Sequence, residues 1–143
     1  LEAEDLSGVT AIEYGDLEAN IEGNEQDIPV FQQKVSLYRS QIRGNRDLFA
    51  GAEDLNTGNY GLAEENLTNA AGHFEDANTI TSTLLEEQGD KKDPGLIRVE
   101  CRTANYRDAS QFLAEAAVEF ERGNLNEGNE LQDNAREKRD SSC

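Results

Sequence analysis

Few side chains in this sequence have the type and spacing to do chemistry. The one histidine, His73, has Glu75 and Asp76 beside it, but a carboxylate-bridged metal pair in a helical bundle needs Glu-x-x-His, and Ala70 stands where the glutamate would be. No Cys-x-x-Cys, His-Glu-x-x-His, phosphate-cradling glycine loop or calcium loop occurs. Adjacent carboxylates such as Glu64-Glu65 and Glu86-Glu87 follow from having 30 acids in 143 residues, so adjacency says nothing about general acid and base roles. The expectation is a protein that is not an enzyme, with no catalytic residue, no cofactor and no metal site, in which His73 is structural or lies on the surface.

Three other features are candidates for a site. Arg39, Arg43 and Arg46 recur on one flank of a helical segment and form the one concentrated positive stripe. They suit a partner or anion contact, or ion pairs to Glu64, Glu65 or an acidic N-terminal arm, which contribute little in salt. Asn66-Leu67-Thr68 is a glycosylation triplet, although Leu67 falls on an apolar seam beside the acceptor Asn66. Cys101 and Cys143 lie roughly twenty residues to either side of a turn at Gly123-Asn124, which places them face to face at the open end of a helical hairpin. A bridge there closes a loop of about forty residues and is worth on the order of 2 to 4 kcal/mol. It also implies an oxidising compartment. The alternative is a pair of unrelated thiols.

The elements that must position these residues are read from hydrophobic period. Ile28, Phe31, Val35, Tyr38, Ile42, Asn45, Phe49 and Ala52 follow steps of three and four, with Asn45 the polar exception beside Gly44. The spacing resumes as Ala63, Leu67, Ala70, Phe74, Ala77, Thr81 and Leu84, then as Leu96, Val99, Thr103, Tyr106, Ser110, Leu113, Ala117 and Phe120. A shorter run passes from Leu125 through Leu131 to Ala135. Gly58-Asn59 and Gly123-Asn124 separate these runs as tight turns, the glycine ending one helix and the asparagine capping the next. Asp93-Pro94 opens the third helix and Pro29 the first.

The fold class is therefore all-α: an antiparallel bundle of two long helical hairpins, 28–88 and 95–140, in one domain of 1–143. An acidic arm at 1–27 adds a further helix around Val9 to Ile21. The chain begins at Leu1 and contains no methionine, so a processed or trimmed start is expected.

Charge excludes some functions. A formal net charge of −17 repels polyanions, so nucleic acid and bare anionic membrane are poor partners. No run approaches the roughly 20 apolar residues needed to span a bilayer. Residues 1–27 hold acids and no base, whereas 28–57 are nearly balanced. Lysine is scarcer than arginine and acids are spread over every helix. This composition resembles that of proteins from extreme halophiles, and that resemblance implies a surface adapted to salty solvent.

The hairpins also resemble each other. Leu55-Asn56-Thr57-Gly58-Asn59-Tyr60 compares with Phe120-Glu121-Arg122-Gly123-Asn124-Leu125, Ala70 falls opposite Ala135, and Gly15-Asp16-Leu17 is a weaker echo. Here the chain resembles the tetratricopeptide repeat family, since Gly58-Asn59-Tyr60, Ala63, Leu67 and Ala70 occupy the turn and second-helix positions of that motif. The resemblance covers about thirty residues twice. It departs from the family in the first-helix aromatic, the closing proline and the spacing of the units. It implies a helical stack with a concave peptide groove as the alternative fold, which would break the second helix near Gly72-His73. The apolar seam runs through that point without a slip, which favours long helices.

These readings lead to one expectation of function: a non-enzymatic protein–protein interaction or assembly module, exported or on the cell surface and adapted to high salt. A small-molecule sensing or solute-binding bundle is the alternative, with a cytoplasmic location the alternative to export. A binding module should expose a continuous apolar patch. A sensor should enclose a pocket lined by Tyr38, Phe49, Phe74 or Tyr106.

Overall fold

Hydrophobic spacing of three and four over long uninterrupted runs yields long helices, and the computed structural model, which describes residues 28–143, contains four. They are α1 (Ile28–Thr57), α2 (Tyr60–Glu87), α3 (Pro94–Glu121) and α4 (Leu125–Asp140). The acidic N-terminal helix expected around Val9 to Ile21 lies outside the described residues. Helix α2 runs unbroken through Gly72 and His73.

Both short turns have the same construction. Gly58 (φ 81°) and Gly123 (φ 83°) adopt the left-handed conformation that ends a helix without a Cβ clash. In each, the following asparagine N–H returns to a carbonyl of the preceding helix: Asn59 to Asp54 and Asn124 to Glu119, both at 2.8 Å. Neither asparagine side chain caps the next helix, contrary to expectation. Asn59 instead donates to Thr57 Oγ1 (3.2 Å) and Asn124 to Glu119 Oε2 (2.6 Å), so these amides brace the turn. Asp93 does cap α3, accepting from Gly95 N at 2.8 Å with Pro94 in the first turn.

Each helix packs on its neighbours in sequence, and α1 also touches α3. One core joins Leu48 and Leu55 of α1, Leu67, Ala70 and Phe74 of α2, and Ala114 and Ala117 of α3. A second, at the other end, joins Leu37, Leu84, Leu85, Leu96 and Val99. Rings bridge the hairpins: Tyr60 stacks on Phe120 with centroids 5.7 Å apart, and Phe74 meets Tyr106 at 5.5 Å.

The seams expected for α2 and α3 are the ones that pack: all seven α2 positions from Ala63 to Leu84 are buried. Helix α1 differs. Its buried line is Leu37, Tyr38, Gln41, Gly44, Asn45, Leu48, Gly51 and Leu55, while Ile42 is 52 % exposed and Phe49 62 %. Close approach explains the choice. A Cβ at Gly44 would stand 2.9 Å from Phe74 Cε1, and one at Gly51 would stand 2.5 Å from Leu67 Cγ. The two glycines are notches that receive the largest fully buried side chains of α2, and a seam through Ile42 and Phe49 would forfeit that fit.

Helix α4 is short and polar, burying only Gly128 and Ala135 fully. Among the described residues, none of its Cα atoms comes within 8 Å of one in α1 or α2. Among the described residues, the bundle is therefore open between α1 and α4, with α3 as the floor. No helix is long and apolar enough to cross a membrane, among the described residues.

Candidate functional site: the cleft between α1 and α4

The open side of the bundle forms a cleft of about 220 Å³. Helix α1 contributes Phe49, Ala52 and Leu55, and α3 contributes Ala109 and Leu113 at the bottom. The opposite wall is α4, with Gln132, Ala135, Arg136 and Arg139. Arg136 lies 3.1 Å from Asp133, and Arg139 lies 2.9 Å from Asp140, whose carboxyl is held below its ordinary range first by hydrogen bonding from Arg139. An apolar trough beside arginines already paired to Asp133 and Asp140 suits an apolar side-chain row.

Further apolar side chains recur along α1 outside the cleft. Ile28, Val35, Ile42 and Phe49 repeat every seven residues, so they stack on one line of the helix. Arg39, Arg43 and Arg46, all exposed, flank that line. Arg46 sits 3.3 Å from Asp47, and none of the three contacts Glu64 or Glu65. The heptad of apolar residues was visible in the sequence but merged there with the buried seam. Too many apolar positions for one face was the signal that α1 carries two.

The cleft depends on what holds α4. Cys101 and Cys143 form a disulfide with Cα atoms 5.8 Å apart. Asn105 points its amide at the bridge, Nδ2 3.3 Å from Cys143 Sγ. An ionic thread crosses three helices: Glu75 of α2 to Arg107 of α3 at 2.6 Å, Arg107 to Asp108 at 3.0 Å, and Asp108 to Lys138 of α4 at 3.6 Å. Hydrogen bonding to Glu75 raises the Arg107 guanidinium above its already high ordinary value, against desolvation and with help from Asp108.

The remaining sequence candidates are dispersed. His73 lies between α2 and α1, Nε2 3.3 Å from Asp47 Oδ2. Asn66 is half-buried, its side-chain nitrogen donating to Asp54 Oδ2 at 2.9 Å, so the atom a glycan would occupy is engaged with α1. Of the four aromatics a ligand pocket would have gathered, Tyr38 and Phe74 are buried, Tyr106 packs on the core and Phe49 stands in the cleft. A second depression, between α2 and α3, is an open trough carrying Glu64, Glu75 and Glu115. Among the described residues, no group of three or more His, Cys, Asp or Glu is placed to hold a metal ion.

Fold and cleft together define an all-α helical bundle, open on one side among the described residues and clipped by a disulfide. No protein-family model matches the chain, and no match was found among curated proteins or solved structures.

Proposed function

We propose that this chain is a non-enzymatic protein–protein interaction or assembly module, exported or on the cell surface and adapted to high salt, which receives a helix of another chain at the α1–α4 cleft. The observation that carries the reading is the pair of exposed apolar side chains Ile42 and Phe49 on one side of α1, with Phe49 lining the cleft and arginines beside them. Scattered exposed apolar side chains need no explanation, but an aligned heptad row leading into a trough is the form of a helix-in-groove contact. The Cys101–Cys143 bridge supports an oxidising compartment. The net charge of −17 with few lysines supports a salty solvent and argues against nucleic acid as the partner.

A photo-crosslinking residue at position 49 in producing cells tests this, with the exposed Thr83 of α2 as the control position. The expected result is a protein adduct from position 49 and none from 83. Adducts absent at 49, or equal at both positions, overturn the reading.

A further inference from the structure

We infer that the Cys101–Cys143 bridge is a thiol-operated latch: a dithiol reductant that opens it frees α4 and dismantles the cleft, while the rest of the bundle stays folded. As a control on docking, the latch rests on the reading of that cleft as the docking site.

The bridge holds one helix and no core. Neither hydrophobic core contains a residue of α4, and among the described residues α4 packs on α3 alone. Its fully buried positions are Gly128, which lies against the Phe120 ring, and Ala135. Among the described residues, one ion pair joins α4 to another helix, Lys138 to Asp108 at 3.6 Å, and a partly exposed pair contributes little in salt. A polar helix of 16 residues is marginal in water on its own, so without the bridge little keeps α4 on α3. Yet α4 supplies Gln132, Ala135, Arg136 and Arg139 to the cleft, which without them is an open face of α1 and α3.

The bridge is also placed to be opened. Cys143 is exposed beyond the end of α4 at Asp140, whereas Cys101 is half-buried on α3. A thiolate of the reductant attacks Cys143 Sγ, the S–S bond breaks, and its electron pair goes to Cys101 Sγ, which takes up a proton. Asn105 directs its amide at the pair, Nδ2 lying 3.8 Å from Cys101 Sγ and 3.3 Å from Cys143 Sγ, so a hydrogen-bond donor stands beside the leaving thiolate. The second thiol of the reductant then loses its proton and displaces Cys143, which is protonated in turn. The reductant ends as a disulfide, and the chain has taken two electrons and two protons. The Gly123-Asn124 turn keeps the freed helix tethered, so both thiols stay at high local concentration and reoxidation closes the same bridge.

Hydrogen exchange on the full chain in high salt, with and without dithiothreitol, tests the latch, with alkylation reporting the thiols. Opening the bridge should speed exchange of residues 125–140 about tenfold or more, leave the α2 amides protected, and reverse on oxidation. Cys101→Ser/Cys143→Ser should behave as the open form with no reductant present. A bridge that opens only in denaturant, α4 protection that survives opening, loss that spreads to α2, or no recovery on oxidation would each overturn the inference. Photo-crosslinking at position 49 reads the consequence for docking. Adducts to another protein should form in the bridged chain and be lost in Cys101→Ser/Cys143→Ser, and undiminished adducts there overturn the control of docking. No adduct from the bridged chain overturns the docking reading instead, and the exchange result still decides the latch.

Discussion

Gly51 of α1 lies so close to Leu67 of α2 that a Cβ built on it would stand 2.5 Å from Leu67 Cγ and 3.2 Å from the Leu67 backbone nitrogen. Leu67 is fully buried, so its side chain has nowhere to retreat, and the backbone cannot yield alone. Gly51→Ala should lower stability by about 1 to 3 kcal/mol despite the better helix propensity of alanine. Gly72 lies in the middle of α2 with nothing within 4 Å of its would-be Cβ. Gly72→Ala should raise stability by about 0.5 to 1 kcal/mol. Denaturant unfolding of the pair checks both signs. Equal effects would refute the notch as the reason α1 turns Gly51 inward.

Because α4 rests on α3 alone and buries little, the bridge at its end carries much of its attachment. Cys101→Ser, or reduction, should cost about 2 to 4 kcal/mol and release α4 first. Exchange protection of residues 125–140 should fall while that of α2 persists. Alkylation of native material followed by mass spectrometry gives the prior check, and free thiols there would remove the basis for an oxidising compartment.

Tyr38 is buried, yet among the described residues its hydroxyl has no hydrogen-bond partner, and Asn45 Oδ1 on the same helix is in the same state. An unpaired buried hydroxyl costs about 1 to 3 kcal/mol of desolvation. Tyr38→Phe should therefore leave stability unchanged or raise it by up to about 1 kcal/mol, whereas Tyr38→Ala should lower it by about 3 to 5 kcal/mol. A marked loss on Tyr38→Phe would reveal a partner for the hydroxyl.

Removing salt should unfold the chain. On the proposed adaptation to high salt, the 21 acids of residues 28–143 coexist on the bundle because salt screens their repulsion. Helical circular dichroism should decline as potassium chloride is dialysed away and recover on its return. Identical spectra in dilute buffer and at molar salt would end the halophilic reading.

The ionic thread through Arg107 should behave in the opposite sense. Arg107→Met breaks the link between Glu75 and Asp108 at a half-buried position, and should cost less than about 1 kcal/mol, falling further as salt rises. A larger loss at high salt would show that packing of the arginine stem, not its charge, is what matters there.

Among the described residues, helix number, order and near-exact limits were legible in the sequence because period and punctuation are local properties. Ala63 through Leu84 recur on one face whatever they pack against, and Gly58 and Gly123 must end helices because the left-handed turn suits glycine. The pairing of Cys101 with Cys143 was legible for a similar reason, since a hairpin reflects residues about its turn. Its final register needed the structure. Helix α4 stops at Asp140, and Ser141 is extended (ψ 135°). Three residues outside the helix can cover up to ~10 Å, as much as six or seven residues of α3, and so can carry Cys143 past its helical mirror position to Cys101.

What tertiary structure alone decided is which face of α1 is the inside. By period, Ile42 and Phe49 are as good a seam as Leu48 and Leu55, and hydrophobicity alone prefers them. The choice falls to Gly44 and Gly51, whose missing side chains admit Phe74 and Leu67, and the fit of two surfaces is not a property of either helix taken singly. That choice turns Ile42 and Phe49 outward and, with α4 too short and polar to close over them, makes the cleft.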